Sequence, residues 1–426
     1  MILAIMGTAA TSGSIPYWMG VTSGAGAKQG RAIATNTNDL FIAGIATPSN
    51  QECQVYKMTK SGAVTWQRSL ATAGSDVYNG VAVDSSENIY TTGYIVGSGD
   101  DIVTAKYNSS GTIQFQRSLS TTTYTDRGQA IALNSSADIY IAGFNQTLSG
   151  GNNHQVAKYN SAGTLQWQRQ LSNTSDNDQA NGVALDSTGD VYTAGYNTAT
   201  IQQALIAKWN SAGTFQWQRN ISLSFNSLFY ANCFDNAGAM YAVGYTDDSG
   251  ADRAAYIAKF ATTPALTWQR ELDAASTDIF LSVDTDSADN VYAAGYTLSG
   301  GIIQGLIAKY NSSGTLQWQR TISQAANVLL LAVHVDASDA VYVAGYSTIS
   351  GVQQMFVARL PSDGTLTGTY SLGGVSHTYG ASSLTGSTPT YTLATPTLTA
   401  STSTLTDAAS TATDASTSIT FTTLTI

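Results

Sequence analysis

Charge is scarce in this chain. Only 11% of its 426 residues are Asp, Glu, Lys or Arg, against the ~25% usual in soluble domains. Proline is nearly missing, with six residues, and there are two cysteines and three histidines. Two cysteines cannot form the dense framework of a small disulfide-stapled domain. His154, His334 and His377 stand far apart with no ligand spacing, so no metal centre is expected. No apolar run reaches the length of a membrane span. The amino terminus, MILAIMGTAATSGS, lacks a basic region and has too short an apolar run for a signal peptide. Neither a P-loop nor a nucleophile elbow is written anywhere, and no cofactor is expected.

What is abundant is Gly (39) and Tyr (23), with Ser, Thr and Asn, the composition of a turn-rich all-β protein. One phrase organises it. AKYNSAGTLQWQRQL from Ala157 returns as YKMTKSGAVTWQRSL from Tyr56, AKYNSSGTIQFQRSL from Ala105, AKWNSAGTFQWQRNI from Ala207, AKFATTPALTWQREL from Ala258 and AKYNSSGTLQWQRTI from Ala308. A worn copy, ARLPSDGTLTGTYSL, starts at Ala358. Seven copies at a period of about 50 residues outrank any single-residue signal, because each repeat is one unit that buries its faces on its neighbours.

A second phrase precedes each copy, as in GVAVDSSENIYTTGY from Gly80 and GVALDSTGDVYTAGY from Gly182. Together they predict four short strands per repeat, punctuated by Asn, Ser, Gly and Asp turns. In the second repeat these are Val81 to Asp84, Ile89 to Tyr94, Ile102 to Tyr107, and a strand from Thr112. Seven such units describe a seven-bladed β-propeller over residues 29–372. The last blade needs a fourth strand, since Gly368 replaces the Trp318 of the blade before. A strand at about residues 15–22, carrying the Tyr17 to Val21 segment within an arm of residues 1–28, is expected to supply it. Cys53 and Cys233 would then be held far apart, and no disulfide is expected between them.

The phrases "VAVDSSENIY–TTGY" and "AKYNSSGTIQFQR" resemble the seven-bladed propeller repeat family abbreviated SBBP, of bacterial surface and secreted proteins, across residues 31–372. Taken with the YW segment near the amino terminus and a Thr/Ser-rich tail, the chain is similar to propeller virion proteins of marine bacteriophages, cyanophages among them. That resemblance implies a virion component.

The tail, residues 373–426, has its own period. Leu384, Tyr391, Leu398, Leu405, Ala412, Ile419 and Ile426 are seven apart, and a threonine follows each of the first six. One apolar residue per heptad with prolines at 389 and 396 is poor helix material. Seven is odd, so a continuous strand would alternate these residues between faces, and each step must contain a bend. An extended β-rich stalk or docking segment is expected, with Leu384, Tyr391, Leu398, Leu405, Ile419 and Ile426 as oligomer or docking contacts.

The recurrent Trp66, Phe115, Trp167, Trp217, Trp268 and Trp318 are expected to pack between blades rather than cage a ligand. Of 18 basic residues, thirteen occupy two repeated positions: Lys57, Lys106, Lys158, Lys208, Lys259, Lys309 and Arg359, and Arg68, Arg117, Arg169, Arg219, Arg270 and Arg320. They must find carboxylates or carbonyls, with Asp84, Asp186, Asp235, Asp286 and Asp336 the nearest candidates for an ion-pair lattice. Cations committed to structure, at a net charge of −10, leave no phosphate-binding stripe. Nucleic acid and membrane insertion are therefore not expected. Asp284 to Asn290 superficially resembles a calcium loop but lacks its central glycine and terminal glutamate.

Variation concentrates in the loops joining strands two to three and four to one, which share one face of the disc. Candidate contacts there are Asp100, Asp101, Tyr124, Arg127, His154, Phe225, Leu228, Phe229, Tyr230, Asp247, Asp248 and Arg253. The expected function is a non-enzymatic bacteriophage structural protein located in the virion, as tail fibre, spike or capsid decoration. Its expected partners are other virion proteins and a host glycan or receptor, with homo-oligomers forming through the tail. The alternatives are a bacterial surface or secreted lectin-like adhesion propeller and, third, a glycan-active enzyme.

Overall fold

The computed structural model describes residues 2–7, 17–120, 123–146, 150–172, 177–198, 200–247, 252–262, 264–274, 276–394, 399–401, 406–409 and 413–416. Seven antiparallel sheets stand around a central axis. Blade 1 runs outward from Lys28–Thr35 through Asp39–Ala46 and Glu52–Thr59 to Val64–Ala71. The inner strands of blades 2 to 6 begin at Val77, Asp126, Gln179, Ser227 and Asp278. Blade 7 holds Val328–Val335, Val341–Ile349 and Val352–Leu360, with Tyr17–Val21 paired along Val352–Leu360 from Trp18↔Arg359 to Val21↔Phe356. The chain is an all-β, seven-bladed propeller of four-stranded blades.

Second and third strands are buried on both faces, because each blade is pressed between two others. The core accordingly runs through the seams. Val55 and Leu70 of blade 1 share one cluster with Tyr78, Val103 and Tyr107 of blade 2, where the two tyrosine hydroxyls meet at 3.0 Å.

The repeated phrase explains the stitching. The turn glycine of NSAGT sits at positive φ, for example 78° at Gly213, and a Cβ there would stand 2.7 Å from the Trp167 ring of the preceding blade. Glycine is thus required twice over. The tryptophan donates its indole N–H to the same turn, Trp167 to the Ser211 carbonyl at 3.3 Å and Trp318 to Ser362 at 3.2 Å. The WQR arginine then donates its Nε to the glycine carbonyl: Arg68 to Gly111, Arg169 to Gly213 and Arg320 to Gly364, at 2.8, 2.7 and 2.8 Å.

The lattice therefore divides in two. These arginines bond carbonyls rather than the expected aspartates, because the turn of the next blade covers them before a carboxylate can reach. Five of the six strand-three lysines take carboxylates, as in Lys208 with Asp186 and Asp190, Lys259 with Asp235, and Lys309 with Asp286, whereas Lys106 donates to the Ser161 carbonyl at 3.2 Å. Asp84 instead accepts from Asn88 and Tyr90, and Asp336 pairs with Lys60 across the seam between blades 7 and 1. Cys53 and Cys233 are free thiols.

The tail departs from a projecting stalk. After blade 7 its described segments run backward around the rim and pair with the outer edges of blades 6 to 1, blade 6 also taking Gly368–Leu372 beyond Val375–Ala381. Val375–Ala381 pairs with blade 6, Thr385–Ser387 with blade 5 and Thr392–Ala394 with blade 4. Thr399–Ser401, Thr406–Ala409 and Thr413–Ser416 follow on blades 3, 2 and 1. The register repeats: Thr378, Thr385, Thr392, Thr399, Thr406 and Thr413 face Ser323, Asp273, Ser222, Ser172, Ser120 and Ala71. One heptad thus serves one blade, and an extended heptad can span about 24 Å at most. Ile2–Gly7 occupies the corresponding fifth position on blade 7.

Leu384 is buried in the core between blades 5 and 6. Tyr391 packs its ring at a tilt against Tyr256, 5.8 Å between centroids, and donates its hydroxyl to Glu271 at 2.6 Å. Gln319 and Gln269, from the WQR phrase, donate to the Leu384 and Tyr391 carbonyls at 2.7 and 3.1 Å. These two expected docking residues dock onto their own ring. Leu398, Leu405, Ile419 and Ile426 lie outside the described residues.

Candidate functional site

Every inner strand shifts register at one place, between Gly30 and Ala32 in blade 1 and at the equivalent position in the other six. The inserted residues are Arg31, Asn79, Gln129, Asn181, Tyr230, Leu281 and Leu331, and all seven line the central channel. The glycine of each second strand, Gly44, Gly93, Gly143, Gly195, Gly244, Gly295 or Gly345, makes the bulge possible. A Cβ on Gly93 would stand 1.8 Å from the Val77 carbonyl oxygen, and one on Gly244 1.8 Å from that of Leu228.

The channel cavity is about 210 Å³ and two-sided. Blades 1 to 4 contribute Arg31, Asn79, Gln129 and Asn181, whereas blades 5 to 7 contribute Tyr230, Leu281 and Leu331. Asn79 and Asn181 donate to the Gly128 and Phe229 carbonyls of the next blade at 2.9 and 2.8 Å.

Two residues nearer the loop face, the residue after each second-strand glycine forms a largely buried ring, the collar, of Ile45, Tyr94, Phe144, Tyr196, Tyr245, Tyr296 and Tyr346. Only Tyr94 and Tyr296 of these are half-buried. Tyr230 reaches into it, 6.3 Å from Tyr245 between ring centroids. Burial, then the neighbouring Tyr245 and Tyr296 rings, raises the Tyr230 phenol above its ordinary pKa, and Arg253 opposes this.

Arg127 lies over Tyr94 at 4.2 Å and forks onto Asp100, with Nε and Nη2 at 2.6 and 2.5 Å. Arg253 lies over Tyr245 at 4.3 Å, with its Nε 3.5 Å from Asp247. Both guanidiniums remain more than one-third exposed. The exposed guanidiniums, rather than the rings beneath them, can stack a planar group and hydrogen-bond carboxylates or hydroxyls.

The structure gathers Asp100, Arg127, Tyr230, Asp247 and Arg253 around this mouth. Asp101 is half-buried, its carboxyl raised by burial and by Asp100, and Tyr124 packs its backbone over Gly99. Phe225 is exposed on the rim of the loop face.

Three expected contacts are corrected. His154 is fully buried, stacked on Trp209 with Nε2 2.7 Å from the Thr193 hydroxyl, since strand three is covered on both faces. Phe229 is fully buried against Tyr256 and Phe260, and Leu228 lies beneath the collar. Asp248 lies outside the described residues.

Sequence reasoning missed Arg31 and the collar tyrosines. Five cations fall outside the two repeated basic positions: Lys28, Arg31, Lys60, Arg127 and Arg253. Three of them stand at or below the channel mouth. A cation that breaks the repeat was the available signal.

The opposite face holds a cleft of about 800 Å³ lined by Thr35, Asn36, Lys60, His334 and Asp336. There His334 Nδ1 is 2.7 Å from Asp284, and its Nε2 is 3.0 Å from the Thr35 hydroxyl.

Comparison with known proteins agrees with the ring. Residues 66–99 and 166–199 match the family described as "Beta-propeller repeat" (SBBP). The chain carries β-propeller repeats. Residues 340–366 match a second propeller family, described as "Domain of unknown function (DUF5122) beta-propeller". No curated protein matches the sequence.

Solved structures similar to this propeller include Sqt1 from Chaetomium thermophilum, at 11% identity and TM-score 0.47, covering 76% of this chain and 82% of that one. YCF48 bound to a D1 peptide is similar at 9% identity and TM-score 0.48, covering 82% and 96%. An ulvan lyase from a polysaccharide lyase family is similar at 7% identity and TM-score 0.49, covering 81% and 96%. Likeness at this level carries no argument about this chain.

Proposed function

We propose that this propeller is a non-enzymatic adhesion protein of a bacteriophage virion, which presents the collar and its surrounding loops to a glycan or protein surface. The observation that carries the adhesion reading is that three cations and one aromatic that break the repeat, Arg31, Arg127, Arg253 and Tyr230, converge on one mouth. Arginine forks backed by aromatic rings are the usual furniture of polar-ligand recognition. The virion assignment rests on the resemblance of the repeat and tail to phage propellers. In this reading Tyr17–Val21 closes the ring, the tail belts it, and several copies on one particle multiply weak individual contacts.

A glycan array probed with the full chain and with Arg127→Ala/Arg253→Ala tests the binding surface. Retention of a glycan signal by the double variant at the wild-type level removes the collar from the binding surface. Immunogold labelling of intact particles tests location: label on phage supports the virion reading, and label on bacterial cells alone supports the surface-lectin alternative.

A second reading, an enzyme, is favoured by the Asp284–His334–Thr35 chain, whose order is that of a general base held on a hydroxyl nucleophile. Hydrolysis of p-nitrophenyl acetate at equal rates by the wild type and His334→Ala would dismiss it.

A further inference from the structure

The channel beneath the collar has chemistry of its own, and its role as a subsite rests on the collar being a binding surface. Arg31 is held by neutral groups: its Nη1 donates to Asn79 at 2.8 Å and its Nε to Gln29 at 3.2 Å. Among the described residues no carboxylate pairs with it. Lys28, Lys106 and the WQR arginines Arg68, Arg169, Arg270 and Arg320 lack one too, but they are taken up by backbone carbonyls, whereas the partners of Arg31 are side-chain amides. One charge that bears on it is another guanidinium, Arg127. Burial disfavours the charge of Arg31, Arg127 adds to that and Tyr94 opposes it, yet a guanidinium stays protonated. A cation placed at the only inserted position of its strand and left without a counter-ion is poised for one that arrives from outside.

The rest of the wall selects what carries that anion. Gln129 offers an amide with no protein partner among the described residues, and it and Asn181 stand on the same polar side as Arg31. Tyr230, Leu281 and Leu331 face them with an aromatic ring and aliphatic surface. A flat ring with hydroxyls on its edge and C–H groups on its face fits between such walls. The cavity, about 210 Å³, is smaller than the ~300 Å³ lower bound of common ligand pockets. It therefore has room for a single sugar unit or its charged substituent.

We infer that the channel is a subsite for one anionic sugar unit, a uronate or sulfated residue, whose carboxylate or sulfate pairs with Arg31 while the chain beyond it lies across the collar.

The test is calorimetric titration of the full-length protein with a glucuronate-containing oligosaccharide, its carboxyl-reduced neutral counterpart, and inorganic sulfate. The wild type should bind the acidic oligosaccharide about tenfold or more tighter than the neutral one, as a charge-assisted hydrogen bond implies. Arg31→Gln should erase that preference and leave neutral binding in place. Arg31→Lys, which keeps the charge but loses the fork, should retain part of it and serves if the glutamine variant does not fold. Equal wild-type affinity for the acidic and neutral oligosaccharides overturns the subsite and leaves the collar standing. Sulfate binding as tightly as the acidic oligosaccharide overturns the sugar assignment. No binding of either oligosaccharide overturns the collar reading and the subsite with it.

Discussion

The rim and the channel wall of this ring are built from the same repeat and treat it in opposite ways. At the rim, tryptophan, arginine and turn glycine recur blade after blade with near-identical bonds, and a seven-residue tail period locks onto the fifty-residue blade period. At the wall, one backbone position recurs seven times while its side chain changes from Arg31 through Asn79, Gln129 and Asn181 to Tyr230, Leu281 and Leu331. Where the repeat is kept, its residues are consumed in holding neighbours. Where it is broken at a constant backbone position, side chains are released for recognition.

The largest effect that would sharpen the contrast comes from ending the chain at Gly374. This removes the buried Leu384 and Tyr379 along with the belt strands, at about 1.5–3 kcal/mol per large buried side chain. It also bares the outer strand edges, which invite pairing between molecules. Light scattering and thermal melting should show a less stable, self-associating protein. An unchanged melt would mean the belt does not support the ring.

Next in size is Gly213→Val, which forces a β-branched residue to positive φ beneath Trp167 and should cost about 2–4 kcal/mol in denaturant unfolding.

His154 gives a pH effect between blades. Burial, the larger cause, lowers its pKa to about 3 from an ordinary 6.5, and a hydrogen bond with the Gln179 backbone works against this. Between those values the unfolded chain binds a proton that the folded one refuses. Stability is therefore full above about pH 6.5 and is lost as pH falls toward 3, by up to about 1.4 kcal/mol per unit. His154→Gln should flatten that part of the acid limb, and an equal slope in both proteins would count against a neutral, buried imidazole.

Smallest for stability is Arg253→Ala at the mouth, expected to stay within about 0.5 kcal/mol of wild type. A large loss of stability there would erase the distinction between wall and rim.

Much of the rim was legible. The period, the four strands and the interblade tryptophans follow from the phrases themselves, and the heptad was visible as a period with a bend in each step. Its placement was not, because nothing in residues 384–426 says that Thr385 will face Asp273 and Thr392 will face Ser222, which requires knowing the distance between outer strands. The arginines of WQR could be seen to need partners, but the choice of the Gly213 or Gly364 carbonyl over an aspartate depends on how one blade leans on the next. The mouth was half legible. Arg127, Tyr230 and Arg253 sit in segments that vary, whereas Tyr94 and Tyr245 sit at a regular repeat position after the second-strand glycine and Arg31 marks a bulge that sequence does not announce. His154 and Phe229 misled because strands begin earlier than the loop lengths suggest, which carries both under the neighbouring blade.

The most direct measurement pairs melting temperature with glycan capture for two variants, Arg127→Ala/Arg253→Ala at the mouth and Gly213→Ala at the rim. The expected result is a mouth variant that melts with the wild type and captures no glycan, beside a rim variant that melts early and still captures it when folded. A mouth variant that captures glycan as the wild type does would contradict the assignment of recognition to the channel mouth.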